Sequence, residues 1–152
     1  MTGGKEKTAP KLNRKKLIAL LRAEFPQMSN AMSNYEIEEV WHGGCRLRYP
    51  FSQNSLRPGG TLSGTTMMSL ADFAMYVAVL SAVGWVPLAV TTNLTINFLR
   101  KPAADKRIVG VCRLIKVGRV QAVGEVHLYS EGISEVVAHA VGTYSIPRRD
   151  GS

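Results

Sequence analysis

The sequence predicts an α+β domain in which an antiparallel sheet wraps one long central helix, and three observations carry that prediction. An apolar run follows Ser63 and stops at Gly84. Beyond Pro87 the pattern changes to period two and continues through three or four strand-length segments joined by short turns, which makes paired neighbours antiparallel. Small residues alternate along two of those segments, Ala122 and Gly124 on one, Ala138, Ala140 and Gly142 on the other, so that a sheet face can approach a helix closely.

The chain of 152 residues fits one domain. Its 45% hydrophobic content is enough for a core, and 20% charged residues is ordinary for a globular protein. The expected organisation is a disordered basic N-terminus over 1–10, a single domain over 11–147 and a tail over 148–152.

Each element has its own signal. In KLNRKKLIALLRAEF, residues 11–25, the residues Leu12, Leu17, Leu20, Leu21 and Phe25 fall near helical period with the bases opposite, and Pro26 ends the helix. In YEIEEVWHGGCRLRYPF, residues 35–51, two strand-like pieces are hinged at Gly43 and Gly44, and SQNSLRPGG, residues 52–60, reads as a loop. The apolar run is about the minimum length for a bilayer crossing. Asp72 would then lie in hydrocarbon, so a buried helix of a soluble domain is the expectation. In VTTNLTINFLR, Val90, Leu94, Ile96 and Phe98 share one face, and Thr91, Asn93, Thr95 and Asn97 the other. RIVGVCRLIKV and VQAVGEVHLYS form a hairpin turning near Gly118, and EVVAHAVGTYSI is the last strand, closed by Pro147.

The formal net charge of +8 is concentrated at the ends, in Lys5, Lys7, Lys11, Arg14, Lys15 and Lys16 and in Arg148 and Arg149. This reads as a solvated tail. A basic module for nucleic acid or an anionic membrane is the competing reading, but no helix-turn-helix, RNP-type or zinc-finger pattern accompanies the charge. No nucleic-acid partner and no membrane span are expected. Cys45 and Cys112 belong to no CxxC pair and read as reduced, buried hydrophobes, which suits a cytoplasmic protein. The run LIALL is too short for a secretory leader. His42, His127 and His139 are widely separated, show no metal-ligand spacing and read as structural or surface residues.

The segments SGTTMMSLAD, VTTNLTINFLRKP (90–102), GRVQAVGEVHLYSEG and AVGTYSIP, placed on this layout, resemble the hotdog-fold thioesterases of the PaaI type over roughly residues 34–147. The family carries His-Gly-Gly at the start of its central helix and an acid nine positions after the His. Here Ser63, Gly64 and Thr65 stand at the His-Gly-Gly positions and Asp72 at the acid. Arg57 stands where members often have an Asn, and Asn54 is the nearest Asn. The resemblance implies hydrolysis of an acyl-CoA thioester, with coenzyme A as part of the substrate and no separate cofactor. It implies Asp72 as the attacking or activating carboxylate, the Gly64 amide as donor to the developing oxyanion, and Thr91 as a holder of the catalytic water. It also implies homodimers, some of which pair into tetramers.

The chemistry of these residues is compatible with that reading. A carboxylate can activate water or attack directly. A helix N-terminus offers free N–H groups, and a Ser at its head caps it; the Ser63 hydroxyl can also reach the carbonyl in place of the family's imidazole. Thr65, Asn54 and Arg57 flank this start, while Arg100, Lys101 and Arg119 can form a basic rim for the coenzyme A phosphates. Gly64 and Asp72 are eight residues apart, roughly 12 Å along one helix, whereas a reacting carbonyl must lie about 3 Å from both. One helix cannot supply both groups to one site, so Gly64 of one subunit is expected to face Asp72 of another. The alternative is a hotdog protein that binds acyl-CoA, or another ligand, without cleaving it; the Ser in place of His favours this.

Overall fold

A computed structural model of the chain describes residues 7–25, 35–49, 56–57 and 61–148. The elements run α1 (Arg14–Glu24), β1 (Glu36–Trp41), β2 (Gly44–Tyr49), β3 (Leu56–Arg57), β4 (Thr61–Leu62), α2 (Gly64–Val83), β5 (Val90–Phe98), β6 (Ile108–Val117), β7 (Gln121–Ser130) and β8 (Val136–Ser145). Six strands form one antiparallel sheet in the order β1-β2-β6-β7-β8-β5, and β3 and β4 pair separately. The segment 52–60, expected to be loop, therefore contributes backbone pairing at 56–57; most of it, with Asn54, lies outside the described residues.

Helix α2 is the axis of the domain. Ser63 caps its start in extended conformation, accepting from Thr66 N at 3.1 Å. Gly84 ends it at φ 92°, a conformation open to glycine, and donates its N–H to Leu80 O. Between them the helix is apolar on every side and touches β1, β2, β5, β6, β7 and β8. Length and composition would let it cross a membrane, but 78% of its apolar stretch is buried inside the domain. Fully covered residues such as Leu70, Met75, Val77 and Leu80 supply the core, each worth about 1.5–3 kcal/mol of transfer free energy.

The small residues of β7 and β8 bring the sheet down onto this helix. Ala122, Ala138 and Ala140 are fully buried, and Gly124 pairs with Gly142 across the two strands. A Cβ on Gly124 would stand 2.8 Å from Met75 Sδ and 2.9 Å from Leu114 Cδ2. Cys45 and Cys112, distant in sequence, are register partners on β2 and β6, both free and fully buried. Cys45 donates to Ala74 O on α2, and burial, with Cys45 beside it, pushes the Cys112 thiol well up from its ordinary pKa.

Helix α1 is capped by Asn13, which accepts from Lys16 N at 2.8 Å, and it buries Leu17 and Leu21 completely. Residues 7–10, which composition assigns to a disordered tail, lie along the β1–β2 hairpin instead. The Lys7 ammonium bonds Glu39 and sits 4.3 Å from the Trp41 ring centroid, and His42 N donates to Thr8 O. Residues 1–6 and 149–152 of the expected tails lie outside the described residues.

Candidate active site

Asp72 lies in the middle of α2, on the face that looks toward the junction of β5 and β8. Two hydroxyls hold it. Thr91 Oγ1 on β5 donates to Oδ1 at 2.5 Å, and Tyr144 OH on β8 lies 2.9 Å from the same oxygen and 3.0 Å from the Asp72 backbone carbonyl. Among the described residues nothing donates to Oδ2.

The two hydroxyls meet because Thr91 and Tyr144 are register partners, and partners across a ladder leave the sheet on one face. For Thr91 this requires a break in the strand. Simple alternation places Thr91 opposite Leu94 and Ile96. The register shifts between Thr91 and Asn93, so a bulge restores Thr91 to the helix-facing side. Tyr144 continues the inward series Ala138, Ala140, Gly142 by one more step of two. That alternation was the signal available for Tyr144, which sequence reasoning had not connected to the carboxylate. Burial pushes the Tyr144 phenol well above its ordinary pKa, and the Asp72 charge pushes the same way, so the hydroxyl stays protonated and donates.

These groups open into a cleft of about 470 Å³ lined by Ser69, Asp72, Phe73 and Tyr76 of α2, by Phe25, and by Pro87, Ala89, Val90, Thr91 and Tyr144. The helix residues follow helical spacing, so one face of α2 forms the floor. The aromatic rings form a continuous series: Tyr144 to Tyr76 at 6.2 Å, Tyr76 to Phe73 at 6.5 Å, Phe73 to Tyr35 at 5.0 Å. Burial also raises the Tyr76 phenol, which donates to Pro87 O at 2.9 Å. A half-buried carboxylate in the wall of an apolar, aromatic-lined cleft can handle an apolar substrate and still meet water.

The other expected residues lie elsewhere. Gly64 begins α2 beside the far end of β5, where a Cβ would approach the Phe98 ring to 3.1 Å. Its N–H has no acceptor among the described residues, as expected for the first residue of a helix. Ser63 is engaged in capping, with its Oγ 2.9 Å from Thr66 Oγ1, and Thr65 is exposed. Arg57 is in β3. Arg100 and Lys101 follow the Phe98 end of β5 and are exposed. Arg100 is ion-paired with Glu135 and donates to Val136 O, so it is less free than a rim cation was expected to be. Arg119 lies in the β6–β7 turn, at the Tyr144 end of the sheet, where Ile146 N reaches Val120 O.

Thr91→Val and Tyr144→Phe should each lower kcat by about tenfold or more while moving KM little, since a hydrogen bond to a charged group is worth about 1.5–3 kcal/mol. Steady-state kinetics checks this. A change confined to KM would mean that the two hydroxyls only shape the cleft.

Four similarities to known proteins bear on this arrangement. The profile of the thioesterase superfamily matches residues 59–137. A candidate esterase of Saccharolobus solfataricus is 33% identical over 117 residues, covering 77% of this chain and 76% of its own. The crystal structure of a candidate thioesterase from Silicibacter sp. superposes with a TM-score of 0.82 at 39% identity, covering 93% of this chain and 96% of that one. A hypothetical thioesterase protein of Streptococcus pneumoniae, solved with coenzyme A, shares the fold with a TM-score of 0.71 at 21% identity, covering 84% of this chain and 97% of that one.

Proposed function

This chain belongs to the thioesterase superfamily and is a thioester hydrolase of hotdog fold, and we propose that it cleaves an acyl-CoA in a site built by two copies of the chain. One observation carries the reading. The Asp72 carboxylate is held through one oxygen at the Thr91 end of β5, while the helix-N-terminal amide of Gly64, without an acceptor among the described residues, lies at the Phe98 end.

The position of β5 supports the pairing. It is the last strand of the sheet, and its outer edge has no partner among the described residues. Val90 and Phe98 are 53% and 49% exposed, and Met68 on α2 is exposed too. Two copies of β5 related by a two-fold axis pair antiparallel. The Gly64 end of one copy then meets the Asp72 end of the other, twice per dimer. The same operation brings Arg100 and Lys101 of one protomer to the side of the site where its partner carries Arg119, a charge distribution suited to coenzyme A phosphates. The coenzyme A held by the streptococcal protein of the same fold fits this assignment.

In this site the acyl group lies in the aromatic cleft with its carbonyl oxygen on the partner's Gly64 amide. Asp72 uses Oδ2 either to take a proton from the attacking water or to attack the carbonyl carbon itself. In the first route the water oxygen bonds to carbon, the carbon–sulfur bond breaks, and the coenzyme A thiolate takes up a proton. In the second an acyl-aspartyl anhydride forms with loss of the thiolate, and water then hydrolyses it. The Gly64 N–H stabilises the oxyanion in both.

Mixing two inactive variants tests the shared site. Asp72→Asn removes the charge. Gly64→Pro removes the amide proton at the first helical residue, where proline is tolerated, after a Ser63 already at ψ 153°. Each variant alone should be nearly inactive. Unfolded together and refolded in equal amounts, they should regain about a quarter of wild-type activity, because half of the dimers are mixed and each carries one intact site. An absence of regain, with mixed dimers demonstrated, would place the whole site in one chain.

A further inference from the structure

We propose that Glu125, His127 and His139, on the sheet face turned away from α2, form a binding site for a divalent transition-metal ion, with Zn²⁺ the ion that best fits the ligand set. The sheet brings them together. Glu125 and His127 are two apart on β7 and therefore share a face, while Gly124, Val126 and Leu128 between and beside them point to the core. His139 on β8 is the register partner of His127. The two imidazole centroids are 4.7 Å apart, and His139 Nε2 lies 3.0 Å from Glu125 Oε2. One ligand atom from each residue lies within 4.8 Å of the others.

Zinc bound at about 2.0–2.1 Å in tetrahedral geometry puts its ligand atoms about 3.3 Å apart. The Glu125–His139 pair, at 3.0 Å, is close to that spacing, and binding requires the imidazoles to rotate to close the rest. Two imidazoles and a carboxylate form a borderline nitrogen and oxygen set suited to Zn²⁺, Co²⁺ or Ni²⁺ rather than to Ca²⁺ or Mg²⁺, and they leave the fourth position to solvent. β7 and β8 are interior strands paired on both sides, so the ligands stand on a stiff base. All three side chains are half-buried, enough to limit their rotamers without sealing them from an entering ion.

The surroundings give the proposal an internal control. Arg113 on β6 is the register partner of Glu125 and adds positive charge against a cation, whereas Asn97 opposite His139 is neutral. Removing the guanidinium should strengthen the site without touching a ligand.

The test uses the full chain stripped of metal by chelator and dialysis. Calorimetric titration with Zn²⁺ should show saturable uptake of one ion per chain and a matching rise in the thermal midpoint, since the ion binds the folded state and ties β7 to β8. Co²⁺ should give the visible absorption bands of a tetrahedral or five-coordinate nitrogen and oxygen site. His127→Gln with His139→Asn should abolish uptake, and Arg113→Ala should tighten it several-fold. Mg²⁺ should leave the midpoint unmoved. No saturable uptake by the wild type, equal uptake by the double variant, or weaker binding by Arg113→Ala would overturn the site. Because Arg113→Ala leaves all three ligands in place, it keeps the proposal open to refutation even where the double variant fails to fold.

Discussion

Replacing Asp72 by Asn is expected to lower kcat/KM for acyl-CoA hydrolysis by about a thousandfold, within the 10²–10⁴ range for a reacting acid or base. The substitution is close to isosteric. An Asn carbonyl oxygen can still accept from Thr91 and Tyr144, so the two contacts at 2.5 and 2.9 Å survive and the cleft keeps its shape. What disappears is the negative charge that takes a proton from water or attacks carbon. KM should therefore change little, and the thermal midpoint should stay close to the wild-type value. Release of free coenzyme A thiol under saturating acyl-CoA is the measurement. Activity within tenfold of wild type would remove Asp72 from the chemistry and leave it as a structural acceptor for the two hydroxyls.

A large effect on stability is expected from Gly124→Val, about 3 kcal/mol of destabilisation from overpacking. The site has no room for a branched side chain. A Cβ alone would press on Met75 Sδ at 2.8 Å and on Leu114 Cδ2 at 2.9 Å, with Arg113 O at 3.2 Å behind them. Met75 can swing, but it is fully buried and touches Gly142 on the neighbouring strand as well. The sheet must therefore lift from α2. For a domain of this length, 3 kcal/mol corresponds to a fall in thermal midpoint of about 6–12 °C. Adding Met75→Ala to Gly124→Val should recover part of the loss, although Met75→Ala alone destabilises by about 2–5 kcal/mol. Urea unfolding of the wild type and the three variants gives the coupling. Strictly additive losses would show that Gly124 is not where the helix and sheet meet.

Much of this was legible from periodicity. The apolar run from Ser63 to Gly84 became a helix with those two residues as its caps, and the alternation of Ala122, Gly124, Ala138, Ala140 and Gly142 marked the face that receives it. What stayed hidden depends on which strands pair. β5 crosses to the far edge of the sheet beside β8, and residues 99–107 carry no sign of that. The bulge near Thr92 reverses the parity that simple alternation gives Thr91, and its cost or gain is decided by β8, not by local residues. Tyr144 is 72 residues from Asp72, and only the β5–β8 register joins them. The same limit applied to Glu125, His127 and His139, whose spacing along the chain has no metal signature because the ligands close across two strands.

Both cysteines of the chain, Cys45 and Cys112, are locked between the sheet and α2. A thiol-specific disulfide dye added to the native enzyme should therefore report liberated coenzyme A over only a slow background from the protein's own sulfur. Without substrate, the same dye becomes a clock: its slow colour development measures how often the whole domain opens, and each stabilising or destabilising variant should reset that rate.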